Sequence, residues 1–344
     1  MKVVVDDKIP YILEPLQVLA DEVVAKTGGD IGPADVRDAE VLIVRTRTRC
    51  DRVLLEGSRV RLVLTATIGF DHLDTTYLEA AGIEWHNCPG CNATSVAQYI
   101  RNSLFLLQEE RGIDLSTCTL GIVGVGHVGS AVLNATRDWV GNILLNDPPR
   151  EAAGDSAPGG PRWSSLTELQ QLCDIISLHT PLVTNGPFPT YHLIGQSFLE
   201  GLGRKAVLLN AGRGEVVDSR ALASALDRGL LREAIIDTWE DEPAIDRSLL
   251  NKVFIGTPHI AGYSADGKAN ATQMVLSRLC AYLHRPMDFA ISPPPLPDGT
   301  VTAPDTFHRH LQLYNPQQDS DRLKAHPELF ETLRNNYPLR REKG

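Results

Sequence analysis

The sequence predicts an α/β protein built on a doubly wound parallel sheet and divided into two or three units. Three observations predict it. Short β-branched runs alternate with helical patterns along most of the chain, as parallel strands covered on both faces do. A glycine cluster, GIVGVGHVG at 121–129, stands between one apolar run and a helical pattern. The length, 344 residues, exceeds what a single core organises, so separate units with a crevice between them are expected.

The elements follow in order. KVVVD (2–6), VLIVR (41–45) and RLVLTA (61–66), separated by helical or turn-rich stretches, form a first α/β unit ending near residue 93. From Thr94 to Glu110, Val96, Ile100, Leu104 and Leu107 recur at helical spacing, so a long helix leads into a second unit. Its strands read TLGIVGV (119–125), NILLND (142–147), IISLHT (175–180), AVLLNAG (206–212), AIIDTW (234–239) and VFIGT (253–257). Proline density between Pro286 and Pro304, including PPPLP, disfavours helix and sheet and predicts a semi-rigid linker. The tail, roughly 305–344, reads as a third, smaller unit too polar and short to hold a core alone. It either packs against another subunit or frays.

Composition narrows the class. Apolar residues at 42% and charged residues at 22% are ordinary globular values. A net charge of −10 argues against nucleic acid as partner, though local arginines could hold a small phosphate. There is no run of about 18 apolar residues, and MKVVVDDKIP is no export signal, so neither a membrane span nor secretion is expected. Six dispersed cysteines (Cys50, Cys88, Cys91, Cys118, Cys173, Cys280) suit a reducing cytoplasm. Cys88-Pro-Gly-Cys91 has redox or zinc spacing, but lacks a second pair to complete four ligands. Two packed thiols and no metal are expected.

The glycine cluster places G-x-G-x-x-G at Gly124, Gly126 and Gly129. Gly124 permits the tight turn, Gly126 leaves room for a pyrophosphate, and Gly129 lets the helix approach the sheet. The helix N-terminus then faces the phosphates. Asp147 ends NILLND eighteen residues beyond Gly129, where a carboxylate accepts from a ribose 2′-hydroxyl and repels a 2′-phosphate. That favours NAD over NADP. Thr180, in HTP, could contact the cofactor or merely shape the turn before Pro181. Asp237, ending AIID, is a candidate for the nicotinamide amide, or caps a helix.

Three strand ends carry the chemistry. Arg213 sits in NAGRGEVVD between Gly212 and Gly214, a turn that would hold its guanidinium over the sheet edge to grip a carboxylate. A salt bridge elsewhere is the structural alternative. DTWEDEP (237–243) offers Glu240, Asp241 and Glu242, among which spacing does not choose. His259 follows the next strand in VFIGTPHIAGYS (253–264). An arginine, an acid and a histidine beside a nicotinamide site suit hydride transfer, with neutral imidazole taking the hydroxyl proton. Arg45, Arg47 and Arg49 alternate in VRTRTRC, so an extended segment would present all three on one face as a phosphate cradle, or leave them solvated on an edge strand.

GIVGVGHVG, HTP, NAGRG, DTWEDEP and PHIAG together resemble the NAD-dependent D-2-hydroxyacid dehydrogenases. The resemblance implies Arg213, Glu242 and His259 as the catalytic residues. It implies Gly124, Gly126, His127, Val128, Gly129, Asp147, Thr180, Ala211, Gly212, Asp237 and Gly262 along NAD. It also implies Arg45, Thr46, Arg47, Thr67 and Tyr263 at the substrate. MKVVVDDKIPY, TATIGFDHLD (65–74), CPGCNATSV (88–96), LLNDPPR (144–150) and HIAGYSADGKA (259–269) narrow the likeness to members oxidising a phosphorylated hydroxy acid. The implied organisation is a flavodoxin-like substrate-binding unit over 1–93, completed by about 262–285, and a Rossmann-type NAD-binding unit over 94–261. A linker and a small C-terminal dimerisation domain over 286–344 would follow, since FETLRNNYPLRRE resembles that part and implies a homodimer. Rival expectations are a dehydrogenase of phosphoglycerate, glycerate or hydroxypyruvate, and a nucleotide-sensing protein without turnover.

Overall fold

A computed structural model describes residues 1–159 and 162–343. The chain divides into two compact units, Met1–Asn92 with Ser264–Pro295, and Ala93–Tyr263 with Leu296–Gly344.

The first unit is a five-stranded, all-parallel sheet of β1 (Lys2–Asp6), β2 (Glu22–Lys26), β3 (Val41–Val44), β4 (Leu62–Thr65) and β5 (Glu84–His86). The order β2-β1-β3-β4-β5 is that of flavodoxin-like sheets. Both faces are covered. Val3, Val5, Ile43, Leu62 and Leu64 pack on one side with Leu276 and Leu279 of the helix Ala265–Tyr282, while Val4, Leu42, Val44 and Val63 pack on the other. The sequence pattern misses β2 and β5, because these edge strands, EVVAK and EWH, bury little and lack a full apolar run.

The second unit is a six-stranded parallel sheet of β6 (Thr119–Val123), β7 (Asn142–Asn146), β8 (Ile175–Leu178), β9 (Val207–Asn210), β10 (Glu233–Ile236) and β11 (Ile255–Gly256). Its order is β11-β10-β9-β8-β6-β7, so the topological switch falls between β6 and β8. Leu120, Ile122, Leu209 and Ile235 face the helix Ala93–Arg111, whereas Leu178, Leu208 and Ile236 face Leu222 and Leu249. The strands stop short of the sequence-predicted ends, because residues after Val123, Leu178, Asn210, Ile236 and Gly256 leave the ladder to form loops at one sheet edge. That edge carries the site.

The stretch from 286 to 304 contains neither helix nor strand. Beyond it the structure departs from the expected separate third unit. Helices Thr306–Leu313, Pro316–Ala325 and Phe330–Asn335 belong to the second unit, with Leu323, Phe330 and Tyr314 buried in its core. Few apolar residues suffice here because polar groups complete the attachment: Asn102 Nδ2 donates to the carbonyls of His310 and Tyr314 at 2.9 and 2.7 Å. Among the described residues no helix is long and apolar enough to cross a membrane.

All six cysteines are free and buried. Burial pushes the Cys88 thiol up to about 12 and Cys91 to about 11, so both are protonated, packed thiols in this structure. Among the described residues no group of three or more His, Cys, Asp or Glu side chains is placed to hold a metal ion.

Candidate active site

The loop after β6 is shaped by glycine. Gly124 has φ +82°, and a Cβ there would meet the His179 carbonyl oxygen at 2.8 Å, at the end of β8 across the switch point. A Cβ on Gly129 would collide with the carbonyl of Gly124, so only glycine lets the helix His127–Thr136 start so close to the strand. Gly126 has open space where a Cβ would stand. There the first N–H groups of the helix, at His127, Val128 and Gly129, have no intrahelical acceptors, the arrangement that suits an anion.

Asp147 ties this loop to the next strand. One carboxylate oxygen accepts from Val125 N at 2.8 Å and the other from Arg150 N at 3.2 Å, capping the helix Pro148–Ala152. A carboxylate offers about four acceptor sites, so two remain for ribose hydroxyls. Thr180 Oγ1 is enclosed and has no hydrogen-bond partner, an orphan that a bound polar group would satisfy. Gly212 lies behind it, its Cβ position 3.0 Å from the Thr180 carbonyl, and Ala211 is half-buried beside it. An open phosphate niche, a carboxylate with spare acceptors and an orphaned hydroxyl at the switch point fit a dinucleotide.

Asp237 is wholly buried. Its carboxylate accepts from Thr257 Oγ1 (2.6 Å), Ile260 N (2.8 Å) and Ala261 N (3.0 Å), while its carbonyl accepts from His259 N (2.9 Å). It therefore holds the loop that carries His259. These bonds keep His259 in the left-handed region at φ +56°, which a non-glycine residue adopts only when its surroundings over-determine it. Gly262 continues the same loop.

The structure chooses among the three acids after β10. Glu240 is engaged elsewhere, by His192 Nε2 at 2.6 Å and Ser219 N at 2.7 Å, and Asp241 points to solvent. Glu242 meets His259: Oε2 lies 2.8 Å from Nδ1, and Oε1 accepts from Trp239 N at 2.9 Å. With the carboxylate on Nδ1, the proton of the neutral ring sits there and Nε2 is left as a base. Arg213 stands exposed at the end of β9, its Nη1 donating to the Gly212 carbonyl at 2.8 Å. Gly214 passes so close to the Trp239 carbonyl that no side chain fits, which fixes the turn bearing Arg213.

In the first unit the three arginines do not form the expected single-faced cradle. β3 ends at Val44 and residues 46–48 turn, so Arg45, Arg47 and Arg49 do not share a face. Arg45 is drawn to buried Asp6 at 3.1 Å, Arg49 to Asp51 at 3.0 Å, and Arg47 and Thr46 stand exposed. Thr67 bonds Thr65 Oγ1 at 2.6 Å and the Gly69 carbonyl at 2.8 Å. Lys268, missed from sequence, adds a cation here: burial, then Arg45, push its ammonium below the usual lysine range. Sequence reasoning also missed Arg334, whose Nη1 lies 3.4 Å from Glu242 Oε2 across 92 positions of chain. Tyr263, expected at the substrate, packs beside Tyr337 with ring centroids 6.2 Å apart and the planes tilted by 59°.

Residues 92–261 match the family described as D-isomer specific 2-hydroxyacid dehydrogenase, NAD binding domain. Over its whole length the chain is 52% identical to an erythronate-4-phosphate dehydrogenase of Bacteroides fragilis (strain YCH46), covering 98% of that protein. It is 42% identical to the enzyme of that name from Porphyromonas gingivalis, with 99% of this chain and 94% of the relative covered. Among solved structures, a D-2-hydroxyisocaproate dehydrogenase superposes with a TM-score of 0.68 at 21% identity, covering 82% of this chain and 97% of the other. A D-lactate dehydrogenase from Aquifex aeolicus, complexed with NAD and lactic acid, gives 0.62 at 24% identity over 83% and 96%. These last two likenesses concern the fold.

Proposed function

Because this chain belongs to the erythronate-4-phosphate dehydrogenases, within the D-isomer specific 2-hydroxyacid dehydrogenases, we propose that it oxidises 4-phospho-D-erythronate to (R)-3-hydroxy-2-oxo-4-phosphobutanoate. NAD, when bound, supplies the hydride acceptor. The observation that carries the reading is the His259–Glu242 pair at 2.8 Å, set on the sheet edge that also holds the glycine loop.

His259 Nε2 takes the proton of the C2 hydroxyl as the hydrogen on C2 departs with its electron pair, leaving a carbonyl. Glu242 orients the ring and stabilises the imidazolium that forms. Arg213 grips the substrate carboxylate through its planar fork, and its exposure at the strand end leaves that fork accessible. Gly124, Gly126, His127, Val128 and Gly129 take the pyrophosphate, Asp147 the adenosine ribose, and Thr180, Ala211, Gly212 and Gly262 flank the remainder of NAD. Asp237 acts through the His259 loop. Arg45, Thr46, Arg47, Thr67 and Tyr263 serve the substrate, and the juxtaposition of Arg45 with Lys268 supports an anionic phosphoryl ligand in the first unit. The reaction is a step towards pyridoxal 5′-phosphate (vitamin B6), in a cytoplasmic homodimer.

The test is NADH formation by the purified protein with 4-phosphoerythronate, against unphosphorylated erythronate and 3-phosphoglycerate. The expected outcome is turnover of the first alone at low concentration. Equal rates with erythronate overturn the phosphate assignment, and preference for 3-phosphoglycerate overturns the substrate. His259→Ala retains NAD binding and loses nearly all turnover; an active variant removes the proton-transfer role.

A further inference from the structure

The last helix of the chain, Phe330–Asn335, ends against the proton-transfer pair. Phe330 is buried in the core cluster of the second unit, and Leu333 packs on the same cluster, which fixes the face that Arg334 presents. Arg334 Nη1 lies 3.4 Å from Glu242 Oε2, the same oxygen that lies 2.8 Å from His259 Nδ1. Six residues on, Arg340 is buried and donates to the carbonyls of Ile260, Ala261 and Tyr263, the loop that leaves His259. Its guanidinium stacks over Tyr314 at 4.1 Å and Tyr337 at 5.9 Å, so the segment is anchored on both sides of the pair.

The geometry points to Arg334 as a positioning residue for His259 and Glu242: by sharing one carboxylate oxygen with the imidazole, it fixes the aim of Glu242 and weakens the hold of that carboxylate on an imidazolium proton. This deepens the function proposed above and rests on His259 being the proton acceptor. Two carboxylates face the imidazole, Glu242 at Nδ1 and Asp237 beneath the loop. Arg334 is the cation set against both, and Tyr263 is the remaining titratable group beside it. The C-terminal segment thereby belongs to the reaction centre of its own chain.

The sign follows from charge. Without the guanidinium, the field of both carboxylates falls on His259 undiluted and the imidazolium persists to higher pH. Oxidation needs the neutral ring and loses rate on its acid side. Reduction needs the charged ring and keeps or extends its rate.

The experiment measures kcat/KM against pH in both directions, with the full chain and NAD or NADH, for wild type, Arg334→Gln, Arg334→Met and Arg334→Lys. Arg334→Met retains the apolar length of the side chain should Arg334→Gln fold poorly. Expected is an upward move of the acid limb of oxidation by roughly half to one pH unit in the two uncharged variants. Below that limb oxidation falls about three- to tenfold while reduction is held, and Arg334→Lys restores the wild-type limb. A limb that stays in place, or an equal loss in both directions at every pH, overturns the proposal. His259→Ala is run alongside: if it is inactive, an unmoved limb counts against Arg334 alone, whereas an active His259→Ala removes the underlying function first.

Discussion

Replacing Glu242 by glutamine tests the proton-transfer pair with little change of shape. The amide oxygen keeps the bond from Trp239 N, 2.9 Å in the wild type, so the loop retains its anchor. The amide NH₂ then occupies the place of Oε2, 2.8 Å from His259 Nδ1, and donates to it. The neutral ring must carry its proton on Nε2, where it cannot accept the hydroxyl proton. The charge that stabilises the imidazolium is lost as well. Unit charges about 4 Å apart interact by about 4 kcal/mol at an effective dielectric constant near 20. The His259 and Glu242 side chains are 29% and 17% exposed, and water screening reduces this to roughly 2–3 kcal/mol. That corresponds to a fall in kcat of about 30- to 150-fold. Initial rates of NADH formation give kcat, and a fluorescence titration gives the Kd for NADH, which should stay within about twofold of wild type. A kcat within about threefold of wild type refutes the assignment, and a collapse of NADH binding would show that Glu242 supports the cofactor loop instead.

Gly129→Ala drives a Cβ into the Gly124 carbonyl, backbone that has no room to give, so thermal stability falls by about 1–3 kcal/mol and NAD affinity with it; an unchanged melting curve contradicts the close helix approach. Asp147→Asn removes the charge that opposes a 2′-phosphate while retaining an acceptor for Val125 N, and the kcat/KM preference for NAD over NADP should drop at least about tenfold. His179 is part-exposed as a residue, but its Nδ1 is enclosed and unpartnered, and burial pushes the imidazole down to about 3 from 6.5. Between those values the unfolded chain binds a proton that the native state refuses, so stability present above pH 6.5 is lost as pH falls towards 3, by up to about 1.4 kcal/mol per unit. Urea unfolding of His179→Gln should show a flatter acid slope, and an identical slope counts against the argument.

The short β-branched runs, the glycine triplet and the three charged strand ends were legible in the linear chain, since each is a local pattern of a few residues. Gly124, Gly126 and Gly129 could be given separate jobs from spacing, and the structure gives Gly124 and Gly129 distinct backbone reasons while leaving open space at Gly126. Edge strands EVVAK and EWH were not legible, because a half-exposed strand needs no apolar signature. VRTRTRC misled for a related reason: alternation describes a face only while the segment stays extended, and the bond of Arg45 to Asp6, 39 positions earlier, accompanies a turn.

By itself, then, the sequence determined two parallel α/β sheets, a dinucleotide loop and the chemical types needed for hydride and proton transfer, because backbone periodicity and turn chemistry act over a few residues. Spacing left Glu240, Asp241 and Glu242 equivalent and the family resemblance pointed to Glu242; that Glu242 meets His259, where the polar tail attaches, and that Arg334 reaches the same carboxylate were decided by the tertiary structure. Those outcomes depend on distances between groups far apart along the chain, and such distances are set by how the whole unit packs.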